Sequence, residues 1–305
     1  MGRKLKGKLG GGKGLRGALA RQAMLEKTKP KMETSLTNKL KPKVNHKQQQ
    51  STTPKKGLIP FDTDSTLLLV GEGDFSFARS IVAEGLISPE NLVATSYDSL
   101  EELKSKYPQV EENLEVLEND NVKVLYNIDA TKLVETLNLA RKSSPMKLFT
   151  GNKHLTSIMF NFPHTGRGMK DVDRNIRDHQ KLMLDFFRSS KQVFRLINNQ
   201  TKNDFGGYDA SQSNNSKIIF TLFEGEPYNS WGVKMIARSE GYKVERSGVF
   251  DWSLFPGYHH RRTNGVRDTT KPAAERNARI YILEKFVAPK KQKKSKTDSD
   301  SDSDD

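Results

Sequence analysis

Short apolar segments alternate with amphipathic segments through the middle of the chain, and this alternation is the strongest constraint on its fold. The segment Thr66–Val70 ends in four consecutive apolar residues, as expected for a strand buried on both faces of a parallel sheet. Further strands of this kind are predicted at residues 91–97, 122–126, 157–162 and 217–223. Helices are predicted between them at 75–84, 99–107, 132–141 and 173–194. Such alternation predicts a doubly wound α/β domain.

The end of this region departs from simple alternation. A helix predicted at 230–240 is followed by strands at 242–249 and 279–286, with no helix between them. Two such strands pair antiparallel or lie apart. A parallel sheet that ends in an antiparallel strand is the arrangement of Rossmann-like class I methyltransferases and is uncommon among dehydrogenases. Within the region, Ser99 followed three residues later by Glu102 predicts a helix capping box.

The positive charge of the chain is concentrated at its N-terminus. Residues 1–56 contain 16 Lys and Arg against 2 acids and no aromatic residue, so we predict a disordered basic tail that binds phosphate backbones without reading sequence. Residues 289–305, Lys-rich and then Ser/Asp-rich, are predicted to form a second disordered tail. The folded domain is therefore placed at 57–288. It is neutral overall, but its first part, 57–150, is acidic and the remainder is basic.

Several classes of protein are excluded by composition. The chain has no Cys, which removes disulfides, thiol nucleophiles and Cys-ligated metals and fits a reducing compartment. It has no apolar run of 18 residues and no secretory signal, so no membrane association is expected. The adjacent His259 and His260 make a poor metal pair, and we predict no metal site. We expect a soluble intracellular monomer.

A glycine-containing segment follows the first predicted strand directly. It reads Gly71-Glu72-Gly73-Asp74-Phe75, between a buried strand and a helix. Glycines at this place let the backbone turn and approach a ligand beside the helix N-terminus. Only two of the three glycines of a dinucleotide fingerprint are present, because Ser76 occupies the third position. The segment is predicted to bind a nucleotide-containing cofactor; a tight turn without ligand is the alternative.

Two acids follow the next two predicted strands. Asp98 lies 25 residues after Gly73, at a distance typical of an acid that binds both ribose hydroxyls of a cofactor. Asp129 follows the third strand, where its carboxylate could accept a hydrogen bond from an adenine amino group. Either acid could instead cap a helix, and for Asp129 the two interpretations are equally supported.

The most specific stretch ends the fourth strand, as Asn161-Phe162-Pro163-His164. An Asn-aromatic-Pro run at this place resembles the motif with which amino-methyltransferases hold a planar nitrogen nucleophile. Proline fixes the backbone so that the Asn161 amide points into the crevice, and Phe162 could stack on a base. The unperturbed pKa of histidine is near neutrality, so His164 could bind or deprotonate a base; an ordinary turn histidine is equally consistent with the pattern.

Aromatic and basic residues lie together after the fifth strand and in the last hairpin. Such combinations suit stacking of unpaired bases with phosphate contacts. The predicted substrate-binding residues are, besides Phe162, Tyr228, Tyr258, His259, Arg261 and Arg262.

Taken together, four motifs resemble those of the fungal large-subunit (25S) ribosomal RNA (uracil-N3) methyltransferases. They are Val-Gly-Glu-Gly-Asp-Phe-Ser-Phe at 70–77, Thr-Ser-Tyr-Asp at 95–98, Phe-Asn-Phe-Pro-His-Thr-Gly at 160–166 and Phe-Pro-Gly-Tyr-His-His-Arg-Arg-Thr at 255–263. The resemblance covers about residues 57–288 and implies a Rossmann-like S-adenosylmethionine domain, a nucleolar location and methylation of one uridine. Ribosomal RNA and pre-ribosomal particles are the implied partners.

The resemblance assigns roles to the residues above. Gly71 to Phe75 would hold the methionine end of S-adenosylmethionine, Asp98 its ribose and Asp129 its adenine. Asn161 would hold the uracil edge, and His164 is the first candidate for the base that removes the N3 proton or for a residue that orients the uracil. Two other functions stay open: a catalytically silent ribosome-assembly factor that kept the fold, and a NAD-dependent oxidoreductase.

Overall fold

The computed structural model describes residues 57–286, except 142, 144, 152, 204–215 and 264–272, and the side chains of 199–203 and 275 are not described. Both tails predicted to be disordered lie outside the described residues. Seven strands form one sheet in the order β3-β2-β1-β4-β5-β7-β6. The strands are β1 (Leu67–Val70), β2 (Leu92–Thr95), β3 (Lys123–Leu125), β4 (Ser157–Asn161), β5 (Lys217–Phe223), β6 (Tyr242–Val249) and β7 (Ala278–Lys285).

The pairing confirms the predicted class I methyltransferase topology. Strands β1 to β5 pair in parallel, with Leu68 of β1 opposite Val93 of β2 and Ile158 of β4. Strand β7 is antiparallel to both of its neighbours and lies between β5 and β6. The chain order reverses between β1 and β4, so the carboxyl ends of these strands border a crevice at a topological switch point, where ligands bind in open α/β sheets.

The central strands of the sheet are buried on both faces, which explains their continuous apolar sequences. Alternate residues of β1 belong to two separate cores, Leu68 and Val70 to one and Leu67 and Leu69 to the other. Each of these side chains is at most 1% exposed, and full burial of one Leu contributes about 1.5–3 kcal/mol. Six α-helices among the described residues cover the two faces: α1 (Ser76–Ala83), α2 (Leu100–Lys106), α3 (Val110–Asn119), α4 (Leu133–Thr136), α5 (Val172–Asn203) and α6 (Val233–Ser239).

Three helices differ from the prediction, while the capping box of α2 is confirmed by both of its hydrogen bonds. Helix α3 was not predicted; it buries Val110 and Leu117 in the core, and its Asn113 donates a hydrogen bond to the Asp74 carbonyl. The helix predicted at 132–141 is one short turn, since Asn138 adopts a φ of 53°. Helix α5 continues past residue 194 to Asn203, and the Asn198 amide bonds to both the N–H and the carbonyl of Leu155.

Candidate functional site

The segment after β1 turns sharply and is tied to β2. Gly71 has a φ of +73°, and a Cβ atom there would lie 2.5 Å from Cε2 of Phe160. The Glu72 N–H donates to the Thr95 carbonyl at 2.8 Å, and the Ser96 hydroxyl donates to the Glu72 carbonyl at 2.7 Å. Gly73 does not have a positive φ; a Cβ atom there would approach the Tyr107 hydroxyl at 3.4 Å. Of the two glycines in this segment, Gly71 is therefore the one that needs glycine for its backbone conformation.

Three side chains of this segment are buried, and two of them carry carboxyl groups. Glu72 is 8% exposed and accepts a hydrogen bond from the Ala78 N–H at 3.3 Å, and burial raises its pKa to about 8. Asp74 is 4% exposed and accepts bonds from the Ser76 N–H and from Nε of Arg261. Phe75 is fully buried and packs edge-on against Tyr126, so its ring lies in the core and is not placed to contact a cofactor.

A cavity of about 340 Å³, here called the glycine-loop cavity, opens at the carboxyl ends of β1 to β4. Asp98 and Asp129 both line it, as predicted for residues that follow adjacent parallel strands. Asp98 forms a 2.6 Å ion pair with Lys106. One oxygen of Asp129 caps the following turn by accepting from the N–H and hydroxyl of Thr131, so Asp129 is a helix cap that also lines the cavity.

Asn161 lies where β4 enters the same cavity. Its Oδ1 accepts a hydrogen bond from the Thr221 hydroxyl at 2.8 Å. Its Nδ2 is buried and has no hydrogen-bond partner among the described residues. A buried amide group left without a partner costs about 1–3 kcal/mol. This donor therefore marks a place where a ligand oxygen would be stabilised.

The residues after Asn161 form a turn that contains His164 and is held by His179. The Gly166 N–H donates to Nδ1 of His164 at 2.9 Å, and the Thr165 N–H donates to Nε2 of His179 at 3.4 Å. The two imidazole rings are 4.5 Å apart. Partial burial, and then His179 and Arg262, lower the pKa of His164, although the residue is exposed and water screens part of this effect. The His164 ring is therefore neutral at pH 7.

A second cavity of about 460 Å³ adjoins the first and is called the aromatic cavity. In it, the Arg276 guanidinium stacks 3.6 Å from the centroid of Phe223 and donates to the Tyr228 hydroxyl at 2.7 Å. Phe162, which has a φ of 47°, is packed against Phe223. The residues that line both cavities are Phe162, His164, His260, Arg261 and Thr263. Ligands in the two cavities would therefore meet at these side chains.

The loop after β6 closes over the glycine segment. The Ser76 hydroxyl bonds to both backbone groups of His259, and the Tyr107 hydroxyl donates to the Arg262 carbonyl at 2.9 Å. Arg261 pairs with Asp74 and Gln109. Arg262 is exposed and lines only the aromatic cavity, whereas Tyr258 and His259 line the glycine-loop cavity.

The structure thus brings most of the predicted site residues to two adjoining cavities, and it adds others that the sequence analysis did not select. Burial lowers the pKa of His260 to about 4, with Arg276 and His164 adding to the effect. His260 was visible in the His-His-Arg-Arg motif, but the sequence did not show which histidine turns inward. Arg276 and His179 carried no signal, because neither belongs to a motif.

Two further findings concern metals and membranes. Within the described ranges, no group of three or more His, Asp or Glu residues is placed to hold a metal ion. In the same part of the chain, no helix has the length and hydropathy needed to cross a membrane.

Comparison with known proteins gives a consistent set of relatives. The family described as rRNA (uridine-N3-)-methyltransferase BTM5-like matches residues 68–262. The chain is similar to the 25S rRNA (uridine(2634)-N(3))-methyltransferase of Saccharomyces cerevisiae, with 44% identity over 94% of this chain and 95% of that protein. It is also similar to an uncharacterised Arabidopsis thaliana protein, At4g26485, with 27% identity over 70% of this chain and 89% of that protein.

Among solved structures, a methyltransferase from Thermoplasma acidophilum aligns with 74% of this chain and 70% of its own, at 12% identity and a TM-score of 0.33.

Proposed function

Because the chain belongs to the rRNA (uridine-N3-)-methyltransferase BTM5-like family, we propose that it is an S-adenosylmethionine-dependent enzyme that methylates N3 of a uridine in large-subunit ribosomal RNA. The observation that carries the proposal is the pair of adjoining cavities that share His164, with the unpartnered Nδ2 of Asn161 beside them. One cavity suits a charged nucleoside cofactor and the other an aromatic base.

The glycine-loop cavity fits S-adenosylmethionine. Four acids line it, and two of them, Asp74 and Asp98, are already neutralised by Arg261 and Lys106. Glu72 adds a buried carboxyl within the glycine segment; it is protonated in the protein without cofactor, and a cationic sulfonium beside it would favour its ionised form. Asp98 would hold the ribose hydroxyls, and the free oxygen of Asp129 the adenine amino group. When bound, this cofactor supplies an electrophilic methyl group.

The aromatic cavity fits one uridine taken out of an RNA stack. Its volume is within the usual range for a small-molecule site. The Phe223 ring is covered by Arg276, whose guanidinium plane offers a stacking surface for a base, and Tyr228 holds that guanidinium in place. Arg262, exposed at the rim, would contact a phosphate. Asn161 lines the glycine-loop cavity next to Phe162, which lines both cavities, and would donate to a carbonyl oxygen of a uracil that reaches the cofactor.

The domain, its tail, its location in the cell and its oligomeric state complete the proposed function. Residues 57–288 are assigned as the catalytic domain, and the basic tail 1–56 as a sequence-independent RNA contact. A substrate in pre-ribosomal particles implies a nuclear, nucleolar location. We further propose that the enzyme needs no metal ion and acts as a monomer, the latter because one chain lines both cavities.

Two experiments test the proposal against its alternatives. Calorimetry with S-adenosylhomocysteine and with NAD should show binding of the first and none of the second; the reverse result would favour an oxidoreductase. Mass spectrometry of ribosomal RNA from a deletion strain should show the loss of one 3-methyluridine. Wild type should restore it, as should Asn119→Ala at the exposed end of α3, but Asn161→Ala should not. Retention of 3-methyluridine in the deletion strain would favour a silent assembly factor.

For assays in vitro, the substrate is a short large-subunit rRNA fragment centred on the uridine that corresponds to uridine 2634 of the yeast relative. It is called the target fragment below.

A further inference from the structure

The hydrogen bond to His164 fixes which of its ring nitrogens carries a proton. The Gly166 backbone N–H donates to Nδ1 at 2.9 Å. A backbone amide always donates through its hydrogen, so Nδ1 must supply a lone pair. A neutral imidazole has one N–H, and in this ring it must be on Nε2. His164 therefore presents a donor at Nε2, whereas a general base would need a free lone pair there.

The groups around His164 oppose a second proton on the ring. His179 faces it from α5, with Asp178 beside it, while Arg262 and His260 face it from the loop after β6. Burial, His179 and Arg262 lower the pKa of His164, and only Asp178 acts in the other direction. Asp178 itself is paired with Arg167 at 2.8 Å, which reduces its effect on the ring.

The turn at residues 164–166 is held in place by His179 of helix α5. The His179 ring stacks on Trp231, with centroids 4.0 Å apart, and its Nδ1 bonds to the Asn175 carbonyl at 2.8 Å. Since the Asn175 carbonyl is an acceptor, Nδ1 of His179 carries the hydrogen, and its Nε2 is free to accept from the Thr165 N–H. The turn at 164–166 is thus fixed by two backbone-to-imidazole bonds.

Resting on the proposed function, we infer that His164 is a hydrogen-bond donor that stabilises the uracil as its N3 anion, together with Nδ2 of Asn161, and that no proton is transferred to His164. Loss of the N3 proton leaves a negative charge that is shared with the two uracil carbonyl oxygens, and fixed donors at those oxygens favour this form.

The N3 proton leaves to solvent water or hydroxide, and its bonding electron pair stays on N3. That pair forms the bond from N3 to the methyl carbon, while the electron pair of the carbon–sulfur bond stays on sulfur and the sulfonium becomes a neutral thioether. One proton is released for each methyl group transferred.

Two variants of His164 separate a donor from a base in single-turnover methylation of the target fragment. His164→Gln keeps an N–H donor near the place of Nε2 but cannot accept a proton, whereas His164→Ala has neither property. Both lose the bond to Gly166, so they are matched in their effect on the turn. We expect the Gln variant to lose less than about tenfold and the Ala variant about 100–1,000-fold, the usual cost of one donor to a developing anion. Equal inactivation, with S-adenosylhomocysteine affinity retained in both, would overturn the inference.

A measurement without turnover tests the same point. The target uridine is labelled with ¹⁵N at N3, and its ionisation is followed by NMR in the complex with protein and S-adenosylhomocysteine. We expect the N3 pKa of the bound uridine to lie below that in free RNA, and to rise by at least about one unit in His164→Ala but not in His164→Gln. An unshifted N3 pKa in the wild-type complex would contradict the inference.

Two outcomes identify other failures. If wild type forms no 3-methyluridine on any large-subunit rRNA, the proposed function fails before the variants are compared. If Glu72→Gln abolishes methylation but keeps its affinity for S-adenosylhomocysteine, the N3 proton passes to Glu72 and the solvent step is wrong.

Discussion

Nε of Arg261 lies 2.9 Å from Oδ2 of Asp74, and this buried ion pair joins the loop after β6 to the glycine segment after β1. The Asp74 side chain is 5% exposed and that of Arg261 24%, so removal of the arginine leaves a carboxylate that water reaches poorly. Such a loss is costly because the remaining carboxylate stays buried with the Ser76 N–H but without a counter-charge. The pair therefore makes the glycine-loop cavity depend on a loop that also borders the aromatic cavity.

Arg261→Ala and Arg262→Ala are expected to separate these two roles. Arg261→Ala should weaken S-adenosylhomocysteine binding at least about tenfold and lower the melting temperature, because Asp74 loses its cation. Arg262→Ala should leave cofactor affinity unchanged and weaken binding of the target fragment. Its exposed side chain lines the aromatic cavity and not the glycine-loop cavity. Calorimetry with S-adenosylhomocysteine and with the target fragment measures the two affinities in each variant. Unchanged cofactor affinity in Arg261→Ala would show that the ion pair does not shape the cavity.

The two glycines of the segment should respond differently to substitution. Gly71→Ala should destabilise the fold by more than about 1 kcal/mol, because its φ is +73° and the new Cβ would lie 2.5 Å from the Phe160 ring. Gly73→Val should keep the fold and severely weaken S-adenosylmethionine binding by filling the cavity, since Gly73 lacks a positive φ. Thermal unfolding and calorimetry measure the two effects. A folded Gly73→Val variant with normal affinity would remove this segment from the cofactor site.

Asp98→Ala should weaken cofactor binding about 10- to 100-fold, since hydrogen bonds to a charged acceptor contribute about 1.5–3 kcal/mol. Lys106→Ala is the matched control, because it breaks the 2.6 Å ion pair and leaves the carboxylate in place. Its effect on affinity should be less than about threefold. If the two variants lose affinity equally, the ion pair rather than the carboxylate positions the cofactor. If affinity holds in Asp98→Ala and only stability falls, Asp98 has a purely structural role.

Glu72 gives the protein without cofactor a specific pH dependence. Its pKa is raised by burial to about 8 in the folded protein, above the ordinary value of 4.5, so the folded state retains a proton that the unfolded state releases. The stability contributed by this proton is complete below pH 4.5 and is lost as pH rises toward 8. The melting temperature of Glu72→Gln relative to wild type should therefore increase between pH 5 and pH 8. A constant difference would show that Glu72 is ionised throughout; the histidines contribute equally to both proteins and cancel.

Much of the fold and of the site could be predicted from local pattern. The apolar run of β1 and the strands that follow it gave the parallel sheet, because a strand buried on both faces has few sequence alternatives. Asp98, Asp129 and Asn161 line one cavity for the same reason: in a parallel sheet, residues that follow adjacent strands meet at one edge. The class I topology followed from two consecutive strands at the end of the domain.

The parts that could not be predicted depend on contacts between distant residues. The pairing of Arg261 with Asp74 spans 187 positions, and it ties an arginine predicted to bind RNA to the glycine segment. The protonation of His164 depends on one backbone N–H two residues away, which no residue type reveals. Besides its buried Val110 and Leu117, helix α3 is tied to the glycine segment by the hydrogen bond from Asn113 to Asp74. Local periodicity carries no information about such contacts.

The last prediction concerns the N-terminal tail, which lies outside the described residues and holds 16 Lys and Arg against 2 acids. Deletion of residues 1–56 should weaken binding of the target fragment and flatten its salt dependence, because fewer counterions are released when fewer phosphates are neutralised. It should also reduce nucleolar retention. Methylation of the target fragment at low salt should continue, because the residues of both cavities remain.

The matched control keeps the length of the tail and replaces its 16 Lys and Arg with Gln. If charge alone matters, this variant should behave like the deletion in RNA affinity, salt slope and localisation. Normal affinity in the Gln variant with loss in the deletion would mean that the tail makes contacts other than electrostatic ones. Loss of chemistry on the target fragment at low salt in either variant would show that the tail takes part in the active site, and the division between a binding tail and a catalytic domain would be wrong.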